Sequence, residues 1–174
     1  MIAPGFAPAK QRRGFTLIEI LVVIGIIGLL AAILLPVLSS ARAEARRAYC
    51  GSNLSQLSKA MQMYVLEHQS TYPVLAARPT KNPGMVSLRA TLIPYVKDDR
   101  LFRCPDDRQR FFEEEGASYE WNAGLNGRTQ DSILEQVIGP SRTPMMYDYE
   151  NFHPNRGGGY GGKNVVFCDG SVGR

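Results

Sequence analysis

Residues 15–38 read FTLIEILVVIGIIGLLAAILLPVL, and the fourteen residues before them read MIAPGFAPAKQRRG. As a helix, the 24 residues of the first stretch would span roughly 36 Å, enough to cross a hydrocarbon core of about 30 Å. The run is too long for the apolar core of a removable secretory signal, and Ser39-Ser40-Ala41 is a weak cleavage site. A retained membrane anchor is therefore expected. No second apolar run in the chain is long enough to span a bilayer, which excludes a multi-span protein. Two residues are unusual for a plain anchor. Glu19 lies one turn inside the apolar segment, where an isolated carboxylate costs several kcal/mol unless it meets a cation or water. Pro36 removes a helix hydrogen bond near the other end.

Charge sorts the chain into parts. The 174 residues carry 20 Lys and Arg against 16 Asp and Glu, a net charge of +4. Three of the cations, Lys10, Arg12 and Arg13, precede residue 15, so cutting after Gly14 leaves 17 cations, 16 acids and a charge of +1. The basicity belongs to residues 1–14, read as a flexible leader, and no nucleic-acid partner is expected. Three cations on a short tail before the span favour a cytoplasmic N-terminus, with the bulk of the protein outside. The mixed groups Asp98/Asp99/Arg100, Asp106/Asp107/Arg108 and Glu113/Glu114/Glu115 read as solvated faces.

The segment Arg12-Arg13-Gly14-Phe15-Thr16-Leu17-Ile18-Glu19, followed by its apolar run, resembles the processing signal of type IV pilins and type II secretion pseudopilins. The resemblance implies cleavage between Gly14 and Phe15 by an inner-membrane prepilin peptidase, which also N-methylates Phe15. It implies an assembly role for Glu19, the fifth residue of the mature chain, and for Pro36, the twenty-second. The physics is consistent with this: the new amine of Phe15 in one subunit can meet the Glu19 carboxylate of a neighbour, neutralising both charges in apolar surroundings. The implied partners are other subunits of the same filament, the peptidase, the membrane and the inner-membrane assembly platform.

From Ser39 to His68 there is no proline and a single glycine, Gly51. Leu54, Leu57, Met61, Tyr64 and His68 recur at helical spacing and define a core-facing stripe, whereas Ser40, Glu44, Arg46, Arg47, Lys59 and Glu67 are assigned to the surface. Residues 15–68, as one continuous helix, would extend roughly 80 Å. His68 reads as a helix-end residue satisfied by hydrogen bonding. Residues 69–174 form the expected head. It should hold a short helix within Met85–Val96, an extended piece at Leu101–Pro105, and strands at Ser118–Gly124 and Thr143–Glu150. A hairpin is expected at Asn164–Val172 around Asp169-Gly170. The predicted class is α+β, with a long N-terminal membrane and stem helix packed on a small antiparallel-sheet head.

The spacing of Cys50, Cys104 and Cys168 offers no CxxC metal pair, and in an oxidising compartment one disulfide and one free thiol are expected. Further segments extend the resemblance to a pseudopilin-like group: Cys50-Gly-Ser-Asn53-Leu54, Tyr72-Pro73, Phe102-Arg-Cys104-Pro105-Asp106 and Tyr119-Glu-Trp-Asn122. The terminal domain of that group is marked by a histidine followed by an Asp-Gly hairpin. His153 and Asp169-Gly170 are the matching positions, but the fifteen residues between them exceed the group's usual spacing. The excess includes the glycine-rich run 157–162, which reads as a flexible loop. The resemblance ranks a Cys50–Cys104 disulfide first and Cys104–Cys168 second, with three free thiols as the remaining alternative.

With two histidines and no GxSxG, HExxH or P-loop motif, no catalytic constellation is legible and no cofactor is expected. Asp148, Glu150 and Asp169 are candidate calcium ligands, as loop carboxylates are in some secretion pseudopilins, but they form no recognised calcium loop. The leading expectation is a structural subunit of a type II secretion pseudopilus or related filament. The alternatives are a type IV pilus subunit for adhesion or DNA uptake and a membrane-anchored protein that does not polymerise, which would have no need of Glu19.

Overall fold

The computed structural model describes residues 16–135, 139–154 and 159–173. The leader, Gly14 and Phe15 lie outside the described residues, as do Gly157 and Gly158 of the glycine run. Helix α1 runs Leu17–Glu67, continuing through Pro36, and the chain divides into two compact units after Ser40, so α1 contributes to both.

In the first unit the side chains of α1 have no protein cover. Leu17, Ile18, Ile24, Leu29, Ile33 and Leu35 are all exposed, and a Cβ added at Gly25 or Gly28 would touch nothing. Among the described residues α1 is the one helix long and apolar enough to cross a membrane. The missing N–H of Pro36 leaves a carbonyl one turn back without its helical donor. Ser39 Oγ and Ser40 Oγ donate to the carbonyls of Pro36 and Val37, at 2.8 and 2.9 Å.

The second unit is built on the rest of α1, which buries Cys50, Leu54, Leu57, Ala60, Met61 and Val65 along one face. The helix closes on two residues in left-handed conformation, Gln69 and Ser70, with Ser70 N–H reaching back to the carbonyl of Val65 at 2.9 Å. His68 ends the stripe exposed, its ring stacked on Tyr64 at 3.8 Å and its Nδ1 2.7 Å from the Tyr64 carbonyl. That is the satisfied helix-end role expected of it.

Three short helices follow: α2 (Leu88–Leu92), α3 (Phe111–Glu115) and α4 (Gln130–Leu134). The strands are β1 (Tyr119–Trp121), β2 (Pro144–Asp148), β3 (Val165–Phe167) and β4 (Val172–Gly173). They form one antiparallel sheet in sequence order, with Trp121 opposite Met146, Met146 opposite Val166 and Val166 opposite Val172. Residues from α1, β1, β2 and β3 share a single hydrophobic cluster with Phe102, Leu125 and Ile133. The architecture is α+β, as the residue pattern predicts.

Four expectations need correction. Leu101 and Phe102 are not extended. They complete a 3-10 turn (Asp99–Phe102) whose first N–H groups need a partner, and the Asp98 side chain supplies it by accepting from Arg100 N. Arg47 is buried rather than on the surface, because it occupies the same helical stripe as Cys50 and Leu54 and finds acceptors there. Asp106 is buried because Arg46 and His153 both meet its carboxylate. Glu115, at the end of α3, is buried because Thr80 donates to it through both backbone N–H (2.9 Å) and hydroxyl (2.6 Å).

Candidate functional site

The N-terminal site is a reciprocal cap. Thr16 N–H and Thr16 Oγ1 both donate to Glu19 Oε2 at 2.8 Å, and Glu19 N–H points back to Thr16 Oγ1 at 3.4 Å. This is the Thr-x-x-Glu capping box, which satisfies donors that the first turn of any helix leaves open. The signal lies in the sequence and was not read there. All of its atoms lie C-terminal to the Gly14–Phe15 bond, so cutting that bond leaves the cap intact. Glu19 is therefore partnered within its own chain, and Thr16 holds its carboxylate at the very start of an uncovered apolar helix.

The second assembly lies in the head. Cys50 of α1 and Cys104, just beyond the 3-10 turn, form a disulfide, while Cys168 is free and buried. The loop after Cys104 is held by Asp107, whose carboxylate accepts from Phe111 N–H, Phe112 N–H and Ser118 Oγ; Ser118 Oγ in turn accepts from Cys104 N–H. Asn53, one turn along α1 from Cys50, donates to the Arg103 carbonyl and to the Tyr119 hydroxyl.

Against the disulfide sits His153, its side chain fully buried. Its Nδ1 is 3.2 Å from Asp106 Oδ2, and its Nε2 is 3.6 Å from Cys104 Sγ and 3.5 Å from Asp148 Oδ2. Arg46 Nε pairs with the other oxygen of Asp106 at 2.5 Å. Burial lowers the pKa of the imidazole, and Asp106 opposes that shift. Burial raises the Asp148 carboxyl to about 7, against the Asn164 N–H and the charges of Lys163 and Arg47. Asn164 ties the group together: its N–H donates to Asp148 Oδ2 at 2.7 Å, its amide donates to the Arg47 carbonyl, and its Oδ1 accepts from Arg47 Nε. Two buried atoms here have no hydrogen-bond partner among the described residues, Asp148 Oδ1 and Arg47 Nη2. A cleft of about 420 Å³ opens on Asp106 and His153, with Arg46, Arg108 and Asn151 on its walls.

His153 and Asp169-Gly170 do not form one site. Asp169 is exposed in the β3–β4 turn, its Oδ1 accepting from Ser171 N–H and Oγ. Gly170, at φ +85°, packs beside Ser58 and Gln62, roughly 12 and 18 Å along α1 from Cys50. Nor do Asp148, Glu150 and Asp169 gather as calcium ligands. Asp148 is drawn into the core by strand β2, and Asp169 is turned outward by the hairpin. Among the described residues, the one group of three or more His, Cys, Asp or Glu donors within reach of a single ion is Cys50, Cys104 and His153.

The glycine run has a definite structural task at its end. Gly162 is buried, its carbonyl accepts His153 N–H at 3.1 Å, and an added Cβ would overlap the His153 carbonyl oxygen. Gly162→Ala is expected to cost about 1–3 kcal/mol and to lower the melting temperature of the head. Gly159→Ala, at a position where a Cβ meets nothing, should leave it unchanged.

Comparison with known proteins places these features. Residues 9–35 match the prokaryotic N-terminal methylation motif. The type II secretion system core protein G of Escherichia coli K12 is 37% identical over 103 residues, 56% of this chain and 66% of that protein. The protein of the same name from Klebsiella michiganensis is 35% identical over 104 residues, 56% of this chain and 68% of that protein. The type IV wide pilus major component PilA4 of Thermus thermophilus is 41% identical over 61 residues, 35% of this chain and 47% of that protein. The chain spans 56%, 62% and 66% of three of the core protein G relatives. No solved structure matches. Residues 39–143, well over half the chain, match the family described as "Protein of unknown function (DUF1559)", and the chain belongs to that family, with the N-terminal methylation motif at its start.

Proposed function

We propose that this chain is a pilin-like structural subunit. It is cut after Gly14 and N-methylated on Phe15 by a prepilin peptidase, then polymerised into a type II secretion pseudopilus or a related filament. The observation that carries the reading is the first unit of α1, an apolar helix with no protein cover and a single carboxylate one turn from its start. In water that surface would be strongly unfavourable at about 25 cal/mol per Å². A bilayer covers it in the monomer, and the equivalent helices of neighbouring subunits cover it in a filament. Glu19 serves both states. Thr16 satisfies it in the monomer, and the Phe15 amine of a neighbour neutralises it after assembly.

The N-terminus is cytoplasmic and the head lies outside, in keeping with Lys10, Arg12 and Arg13 on the short leader. The partners are further pilin-like subunits, the peptidase and an inner-membrane assembly platform. The proposed work is mechanical rather than catalytic, a reading supported by the similarity to a secretion-system core protein and to a pilus major component. A type IV pilus subunit is the second reading, favoured by the similarity to PilA4. The two are separated by whether the assembled filament reaches the cell surface.

Processing is tested by Gly14→Ala, which is expected to leave only the uncut precursor in membranes. The wild-type chain should yield a mature form whose first residue is methylated Phe15, read by mass spectrometry of the N-terminal peptide. A mature-sized band from the variant would contradict the assignment.

A further inference from the structure

The surroundings of the disulfide are built for more than a sulfur–sulfur bond. In the tautomer that donates Nδ1–H of His153 to Asp106 Oδ2 at 3.2 Å, the shorter of the two carboxylate contacts of the ring, Nε2 presents its lone pair toward Cys104 Sγ at 3.6 Å. Histidines that ligate metals are oriented in this way, by a carboxylate on the far nitrogen. The ligating atoms of Cys50, Cys104 and His153 lie within 4.8 Å of one another, and all three residues are buried. Asp148 lies beside this group: its Oδ2 is 3.5 Å from His153 Nε2, and its buried Oδ1 has no hydrogen-bond partner among the described residues.

We propose that in the dithiol form, the state in which the chain is made, the head binds a zinc-type divalent cation. Its ligands are Cys50 Sγ, Cys104 Sγ, His153 Nε2 and an oxygen of Asp148. Two sulfurs, one imidazole and one carboxylate make a four-coordinate set suited to zinc rather than to calcium or magnesium. Binding forms two metal–sulfur bonds, one metal–nitrogen bond and one metal–oxygen bond. The two thiol protons leave to solvent and no electrons move. A divalent cation with two thiolates is neutral, as the disulfide is, so the buried balance between Asp148 and Arg47 is the same in both forms. The cleft lined by Asp106 and His153 gives an ion its way in. The head thus has two alternative closures of one cage, by an ion or by a sulfur–sulfur bond, and neither depends on filament assembly.

The test uses the full chain in detergent micelles, reduced anaerobically with a phosphine and titrated with Co²⁺. Thiolate-to-cobalt charge-transfer absorption is expected, with the visible bands of a tetrahedral site, saturating at one ion per chain and displaced by Zn²⁺. The oxidised chain should show none. His153→Gln and Asp106→Asn should each weaken binding about 10- to 100-fold, and Cys168→Ser should leave it unchanged. Fluorescence of the sole tryptophan, Trp121, before metal is added reports whether each variant is folded. A measurement independent of the variants is the melting temperature of the reduced wild type, which Zn²⁺ should raise. The proposal is overturned if the reduced wild type gives no thiolate–cobalt band or no Zn²⁺-dependent stabilisation. It also fails if binding is untouched by both His153→Gln and Asp106→Asn, or is abolished by Cys168→Ser.

Discussion

Replacing Cys50 and Cys104 together with serine is expected to destabilise the head by about 4 kcal/mol, the entropy of closing a loop of this length in the unfolded chain. The bridge spans 54 residues of sequence and joins α1 to the segment that leads into β1. For a unit of this size the loss corresponds to a fall in melting temperature of roughly 10–20 °C. It is read by fluorescence of Trp121, which is buried in the same core and donates its indole N–H to Asn126 Oδ1 at 2.7 Å. Cys168→Ser, which removes the free thiol, should shift the midpoint far less. Equal losses from both variants would mean that the bridge adds nothing beyond packing.

Glu19 carries the second large expected effect, and two substitutions separate its cap from its proposed assembly role. Glutamine preserves the reciprocal cap with Thr16 and removes the charge, whereas leucine removes both. Losing the cap alone costs about 1 kcal/mol of helix stability. Leaving a neighbour's Phe15 amine buried without its acid costs about 3–5 kcal/mol per contact, roughly two to three and a half powers of ten in subunit affinity. Glu19→Gln is therefore expected to insert into membranes normally, to be processed normally and to be absent from sheared or cross-linked filaments. Thr16→Ala should assemble with a modest deficit. Filament incorporation of Glu19→Gln at the wild-type level would reduce Glu19 to a helix cap.

The parts of the molecule legible in the sequence are those written in local pattern. The apolar run 17–38, the stripe Leu54, Leu57 and Met61, the alternating Tyr119–Trp121 and the Asp169-Gly170 turn each depend on neighbours a few residues away. The polar cluster around His153 does not. Arg46 meets Asp106 across 60 positions, Arg47 meets Asn164 across 117 and His153 meets Cys104 across 49. Read singly, each charge belongs in water, and only its partners make burial tolerable. Two local signals were available and missed. Thr16-x-x-Glu19 marks the helix start, and Asp107 stands four residues before Phe111 with an oxygen for each of two open N–H groups.

The position of the bridge along α1 has a mechanical consequence. The buried face of this helix begins at Arg47 and Cys50 and continues to Val65. A pull arriving from the N-terminal side would meet that face at its leading edge, where apolar contacts can be peeled away one turn at a time. The covalent bond sits at that edge. Traction on the helix would pass to Cys104 through a covalent bond that does not creep, and Leu54, Leu57 and Met61 behind it would be shielded from being unzipped in succession.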